Sequence, residues 1–202
     1  MGKKISMDNP VFRAMGRAAD LFVLNILFLL TCIPVITIGA AQSALYAVTL
    51  KMVRGEESYL IKSYLKALKE NLRQATAVWL LSLAMSAVMY ENFRLLPPDS
   101  PVRRVLMVIG IFGCVILVFT FPLLARFENT VWRTLNNALF MAIRHLPWTA
   151  AVCFATVLPV AVTLKTGRIV TFGIPYWMFM GFSVTALVNS WFFRKIFSNY
   201  EA

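Results

Sequence analysis

Charge is scarce in this chain, and acidic charge is scarcest. Asp, Glu, Lys and Arg make up 14% of its 202 residues, against about 25% in an average soluble domain. Histidine occurs once, at His145, so no cluster of imidazoles exists to hold a metal or relay a proton. Cys32, Cys114 and Cys153 all lie inside apolar runs. Three is an odd number, and their spacing fits neither a zinc site nor a disulfide framework; they read as small apolar residues. HExxH, P-loop, dinucleotide and GxSxG patterns are missing. Neither an enzyme, nor a metal, nor a cofactor is therefore expected. Ser/Gly linkers and low-complexity tracts are also missing, which points to a single domain over residues 1–202.

What the chain has is length of apolar run. Hydrophobic residues are 59% of the total and the mean hydropathy is +0.72. The five longest uncharged runs are Leu21–Leu50, Gln74–Tyr90, Val105–Ala125, Leu146–Leu164 and Ile169–Phe193, of 30, 17, 21, 19 and 25 residues. About 20 apolar residues carry a helix across a hydrocarbon core of about 30 Å. Four runs are thus single spans, and the first is too long for one. The fold class predicted is all-α: a polytopic membrane protein of about six helices. No signal peptide is expected, because the first run starts only at Leu21 and far exceeds a signal h-region.

The net charge of +11 raises the possibility of nucleic acid, but the lysines and arginines stand between the apolar runs. That placement suits phospholipid headgroups and cytoplasmic loops, so the expected partner is the lipid bilayer and no nucleic acid. Within 51–73, Ile61, Tyr64, Leu65, Leu68 and Leu72 form a helical stripe, with Lys62, Lys66, Lys69 and Arg73 on the remaining surface. Residues 127–145 repeat this more weakly, with Phe127, Val131, Leu135, Leu139 and Ile143 as the stripe. Both segments suit amphipathic helices in the headgroup layer.

Topology turns on the first run. If Leu21–Leu50 crosses once, the Lys and Arg residues divide 9 against 11 between the two sides; if it is a hairpin, they divide 15 against 5. The positive-inside rule prefers the hairpin, with both termini cytoplasmic. Proline removes a donor and breaks the helix, and glycine tolerates the angles of a reversal. The chain is therefore expected to turn at Pro34–Gly39. A single long helix kinked at Pro34 is the other reading, and a hairpin tip could cross the bilayer or stop inside it.

Few residues are candidates for function. Asp20 is expected to cap the start of the hairpin, with Asn25 and Thr31 in its first half, Thr37 in the turn, and Gln42, Ser43 and Tyr46 in the second half. Intramembrane Asn and Gln seek partners on other helices. These residues, with Asn189 in the last run, are either interhelical ties or a polar pocket or docking face. Arg54, Glu56 and Glu57 form a charged loop, read as local charge balance or a contact with a partner. His145 reads as an interfacial residue, and the five tryptophans mostly as interfacial anchors.

The string DLFVLNILFLLTCIPVITIGAAQSALYAVTLKMVRGEE, then KALKENLRQATAVWLL, resembles the N-terminal half of the YesL family, bacterial integral membrane proteins catalogued as a domain of unknown function. The resemblance rests on Asp20, Asn25, Cys32, Pro34, Val35, Thr37, Ile38, Gly39, Ala40, Ala41, Ala44, Leu45, Tyr46, Lys51, Arg54, Glu56 and Glu57. It is dense over 9–81 and looser afterwards. It implies a protein of the bacterial plasma membrane. Because such proteins are often encoded near carbohydrate uptake systems, it also implies an accessory role beside a sugar ABC permease. A small transporter acting alone is the alternative. The family supplies no catalytic residues to carry over.

Overall fold

The computed structural model describes residues 10–56, 59–165, 169–198 and 200. All regular structure among them is helical: α1 (Pro10–Thr31), α2 (Ile38–Arg54), α3 (Leu60–Leu95), α4 (Pro101–Arg126), α5 (Val131–Arg144), α6 (Leu146–Lys165), α7 (Ile174–Tyr176) and α8 (Phe182–Phe197). A 3₁₀ turn at Val35–Thr37 joins α1 to α2, and π-helical turns at Ile169–Gly173 and Trp177–Gly181 flank α7. Among the described residues six stretches are long and apolar enough to cross a bilayer, namely Ala14–Thr31, Val35–Arg54, α3, α4, α6 and Thr171–Phe197. The chain is thus a multi-pass helical protein.

The first run is a hairpin. The Tyr64 hydroxyl lies 2.6 Å from Thr31 Oγ1 and 3.5 Å from the Ala41 carbonyl oxygen. Ten residues of unbroken helix would separate Thr31 from Ala41 by about 15 Å, so the chain has doubled back between them. Pro34 makes the break, in extended conformation at φ −74° and ψ 111°. The Thr37 hydroxyl closes the turn by reaching the Thr31 carbonyl at 2.6 Å and that of Pro34 at 2.8 Å.

Gly39 has a different role from the one expected. It already lies inside α2, buried, with ordinary helical geometry. A Cβ there would come within 2.5 Å of the Ala75 carbonyl oxygen and 2.7 Å of Trp79 Cβ. Its lack of a side chain therefore lets α2 lie against α3. Small neighbours continue this: Ala40, Ala41, Ser43 and Ala44 are all buried. The glycine that does need a left-handed conformation is Gly55, at φ 73°. It ends α2, and the Glu56 N–H donates back to the Lys51 carbonyl at 3.1 Å, the closure typical of such helix ends.

The amphipathic segment after Gly55 and the span that follows it are one helix. Nothing between Leu60 and Leu95 is glycine or proline, so the helix runs unbroken for 36 residues, about 54 Å. That exceeds a hydrocarbon core by about 24 Å, and the excess carries the charged turns. The stripe facing the bundle is Tyr64, Ala67, Ala75 and Val78; Ile61, Leu65 and Leu72 from the expected stripe stay exposed. α5 is the separate amphipathic helix. It buries Thr134, Ala138, Met141 and Ala142, while Ile143 is exposed. In both helices alanines, Ala67 and Ala75 in α3 and Ala138 and Ala142 in α5, are among the residues that face the bundle, where small side chains permit close backbone approach.

The packed core lies at one end. It gathers Leu24 and Phe28 of α1, Ala44, Leu45, Tyr46, Val48 and Leu50 of α2, Phe119, Phe121, Leu123 and Leu124 of α4, and Phe193, Ile196 and Phe197 of α8. Phe193 stands edge-on to both Tyr46 and Phe119, at 6.0 and 5.0 Å between centroids. The other end, with the later turns of α3 and the first turns of α4, exposes Leu80, Leu81, Met85, Val88, Val105 and Val108, as lipid-facing helices do.

Candidate functional site

Three polar side chains of the hairpin, Asn25, Tyr46 and Thr49, are set against the last span. Asn25 is fully buried. Its Nδ2 donates to the carbonyls of Trp177 and Met178 at 3.0 and 2.8 Å, and its Oδ1 accepts from the N–H groups of Phe182 and Ser183, both at 3.1 Å. Two of those backbone groups lie in the π-helical turn Trp177–Gly181 and two just after it. Such a turn shifts the regular bonding register, and one carboxamide supplies two donors and an acceptor to the groups displaced.

A second polar group lies deeper toward the packed end. Asn189 Nδ2 donates to the Tyr46 hydroxyl at 3.2 Å and to Thr156 Oγ1 at 2.9 Å, joining α8 to α2 and α6. Thr49 Oγ1 and Ser190 Oγ are 2.8 Å apart. All four of Asn189, Thr49, Ser190 and Tyr46 are buried. Ser43 Oγ and Asn189 Oδ1 are buried without a hydrogen-bond partner among the described residues.

The other expected positions divide. Asp20 does not cap a helix, because α1 starts at Pro10 and runs through it; it is exposed, beside Val23 on the wall of a groove against α3. Gln42 is half-buried and forms no side-chain hydrogen bond among the described residues. Thr37 is tied to the turn. Glu57 lies outside the described residues, as do Lys3 and Lys4. Arg54 Nε lies 3.0 Å from Glu56 Oε1. This pair lines a cavity of about 380 Å³ together with Arg126 and Arg194, where the ends of α2, α4 and α8 converge. Arg194 also donates to the Val53 carbonyl at 2.8 Å. Cations at helix C-termini complement the dipole there.

Two tryptophans are internal fasteners rather than anchors. Trp79 Nε1 donates to the Val35 carbonyl at 2.8 Å, fixing the hairpin tip to α3, and Trp177 Nε1 reaches Thr163 Oγ1 at 3.1 Å. Trp148 and Trp191 flank the Lys195 ammonium at 4.9 and 4.1 Å from their ring centres. His145 meets the Tyr200 hydroxyl at 3.2 Å. Sequence reading missed the pairs Thr31–Tyr64 and Thr49–Ser190, since a hydroxyl in a helix ordinarily bonds its own preceding turn.

A model of the family described as "Protein of unknown function, DUF624" matches residues 21–93. This covers the hairpin, the Arg54–Glu56 turn and most of α3, the elements that carry Asn25, Tyr46 and Trp79. No curated protein and no solved structure matches the chain.

Proposed function

We propose that this chain is a non-catalytic accessory protein of the YesL type, seated in the bacterial plasma membrane with both termini cytoplasmic and working bound to a sugar permease of the ABC class. The observation that carries the accessory role is where most of the interior polar groups of the hairpin and last helix go. Asn25, Thr31, Tyr46, Thr49 and Asn189 all bond to helices of this same chain. Side chains in a transport pathway or a catalytic centre face a substrate; these hold a scaffold together. The permease as partner rests on the resemblance through the CIPVITIGAAQSALY segment. The orientation rests on the 15-against-5 division of basic residues that a hairpin produces.

The test is purification of the tagged protein in mild detergent from cells grown on plant-wall oligosaccharides and from cells grown on glucose. A permease or ATPase subunit in stoichiometric amount, only on the oligosaccharide, is the expected result, with loss of that uptake in a deletion strain. Normal oligosaccharide uptake after deletion overturns the reading. A second reading is favoured by the broken hairpin and the π-helical turns of the last span, since interrupted helices build substrate sites in transporters. In that case purified protein in liposomes moves solute by itself.

A further inference from the structure

At the charged end of the bundle, α1 and the first turns of α3 leave a groove of about 1170 Å³ between them. Val23, Leu60, Ile61 and Leu65 form its apolar surface, and Tyr59 also lines it. Lys62, Lys66 and Lys69 line it one helical turn apart, opposed by Asp20. Lys66 is 3.8 Å from Glu70 across the exposed face, a loose pair, with its side chain 72% exposed. The groove thus carries three ammonium groups against one carboxylate beside an apolar floor. It lies where a long apolar helix changes to a charged one, the depth at which headgroups lie.

We propose that this groove binds an anionic phospholipid, the phosphate between the lysines and the upper acyl chains along Val23, Ile61 and Leu65. Charge and polarity both match. Each lysine near an anionic surface contributes about 1 kcal/mol, and acyl methylenes cover side chains that are otherwise exposed, Ile61 at 52% and Leu65 at 43%. The segment 1–9 matches less well, because Lys3 and Lys4 against Asp8 give it the same sign as the groove. The inference is independent of the permease reading.

Native mass spectrometry of the delipidated protein tests it, with phosphatidylglycerol and phosphatidylcholine as probes. The expected result is selective retention of phosphatidylglycerol, lowered about tenfold in the triple variant Lys62→Gln, Lys66→Gln, Lys69→Gln. A control triple, Arg133→Gln, Arg144→Gln, Lys195→Gln, removes the same charge elsewhere and keeps the retention. Leu65→Glu puts an anion on the apolar floor and is expected to lose it. All the substituted side chains are exposed, and a single symmetric gel-filtration peak verifies folding. Equal loss in both triples overturns the site in favour of diffuse electrostatics. Equal retention of the two lipids overturns it as well, as does displacement by inorganic phosphate alone. A protein partner released by the lysine triple, with lipid retention unchanged, assigns the groove to an acidic protein surface instead.

Discussion

The Asn25 side chain donates to the Met178 carbonyl at 2.8 Å across 153 positions of sequence. Three further bonds from the same carboxamide hold Trp177, Phe182 and Ser183. The π-helical turn in the last span and the asparagine in the first helix are therefore one feature. Removing the carboxamide orphans backbone groups where little water reaches them. Asn25→Leu is expected to cost about 2–4 kcal/mol, at about 0.6 kcal/mol per interhelical bond plus the penalty of the unpaired groups. Thermal unfolding in detergent would show this as a fall of roughly 5–15 °C. Asn25→Asp, which keeps the size and loses the donors, should fall as far. A shift within about 2 °C for both would mean that the π-helical turn stands without it.

Gly39 is a packing residue, and Gly16 offers the contrast. Nothing lies within 4 Å of a Cβ built at Gly16, whereas one at Gly39 meets the Ala75 backbone at 2.5 Å. Gly39→Ala should destabilise by about 1–3 kcal/mol, as overpacking does. Gly16→Ala should be neutral or stabilising, since alanine is the better helix former by about 1 kcal/mol. Chemical unfolding of the two variants side by side checks this; similar midpoints would remove the close-approach argument.

Trp79 fixes the depth of the hairpin tip. From Trp79, α3 runs on to Leu95, a further sixteen residues or about 24 Å. The tip beside Val35 thus stops well short of that end of α3. In a cysteine-free background, Ile36→Cys should resist a membrane-impermeant maleimide applied from outside, while Pro98→Cys, in the loop after α3, labels readily. Equal labelling would place the tip at the far surface.

Tyr46 and Asn189 are 3.2 Å apart in the core. Tyr46→Phe keeps the ring against Phe193 and removes only the hydroxyl, so a cost of about 0.5–1.5 kcal/mol is expected. A double-mutant cycle with Asn189→Leu should return a coupling of similar size. Additive losses would mean that Asn189 is held by Thr156 alone.

The number of spans, the limits of the last three within a few residues and the reversal of the first run follow from the sequence alone; α1 and α3 start more than ten residues before their apolar runs do. Apolar run length against bilayer thickness, the donor missing at Pro34 and the placement of Lys and Arg are local or additive properties, readable without knowing what packs on what. The same holds for Asn25, Tyr46 and Asn189 as residues in need of partners, because an amide or phenol in an apolar run must find one. Their partners were set only by the tertiary structure. Asn25 met an irregular turn of backbone, which no side-chain pattern announces. Gly39 served closeness rather than a turn, which depends on what lies opposite. α3 ran through the boundary between charged and apolar sequence because nothing in its backbone chemistry stops a helix there. Asp20 joined Lys62, Lys66 and Lys69 on one groove because the hairpin laid α1 beside α3.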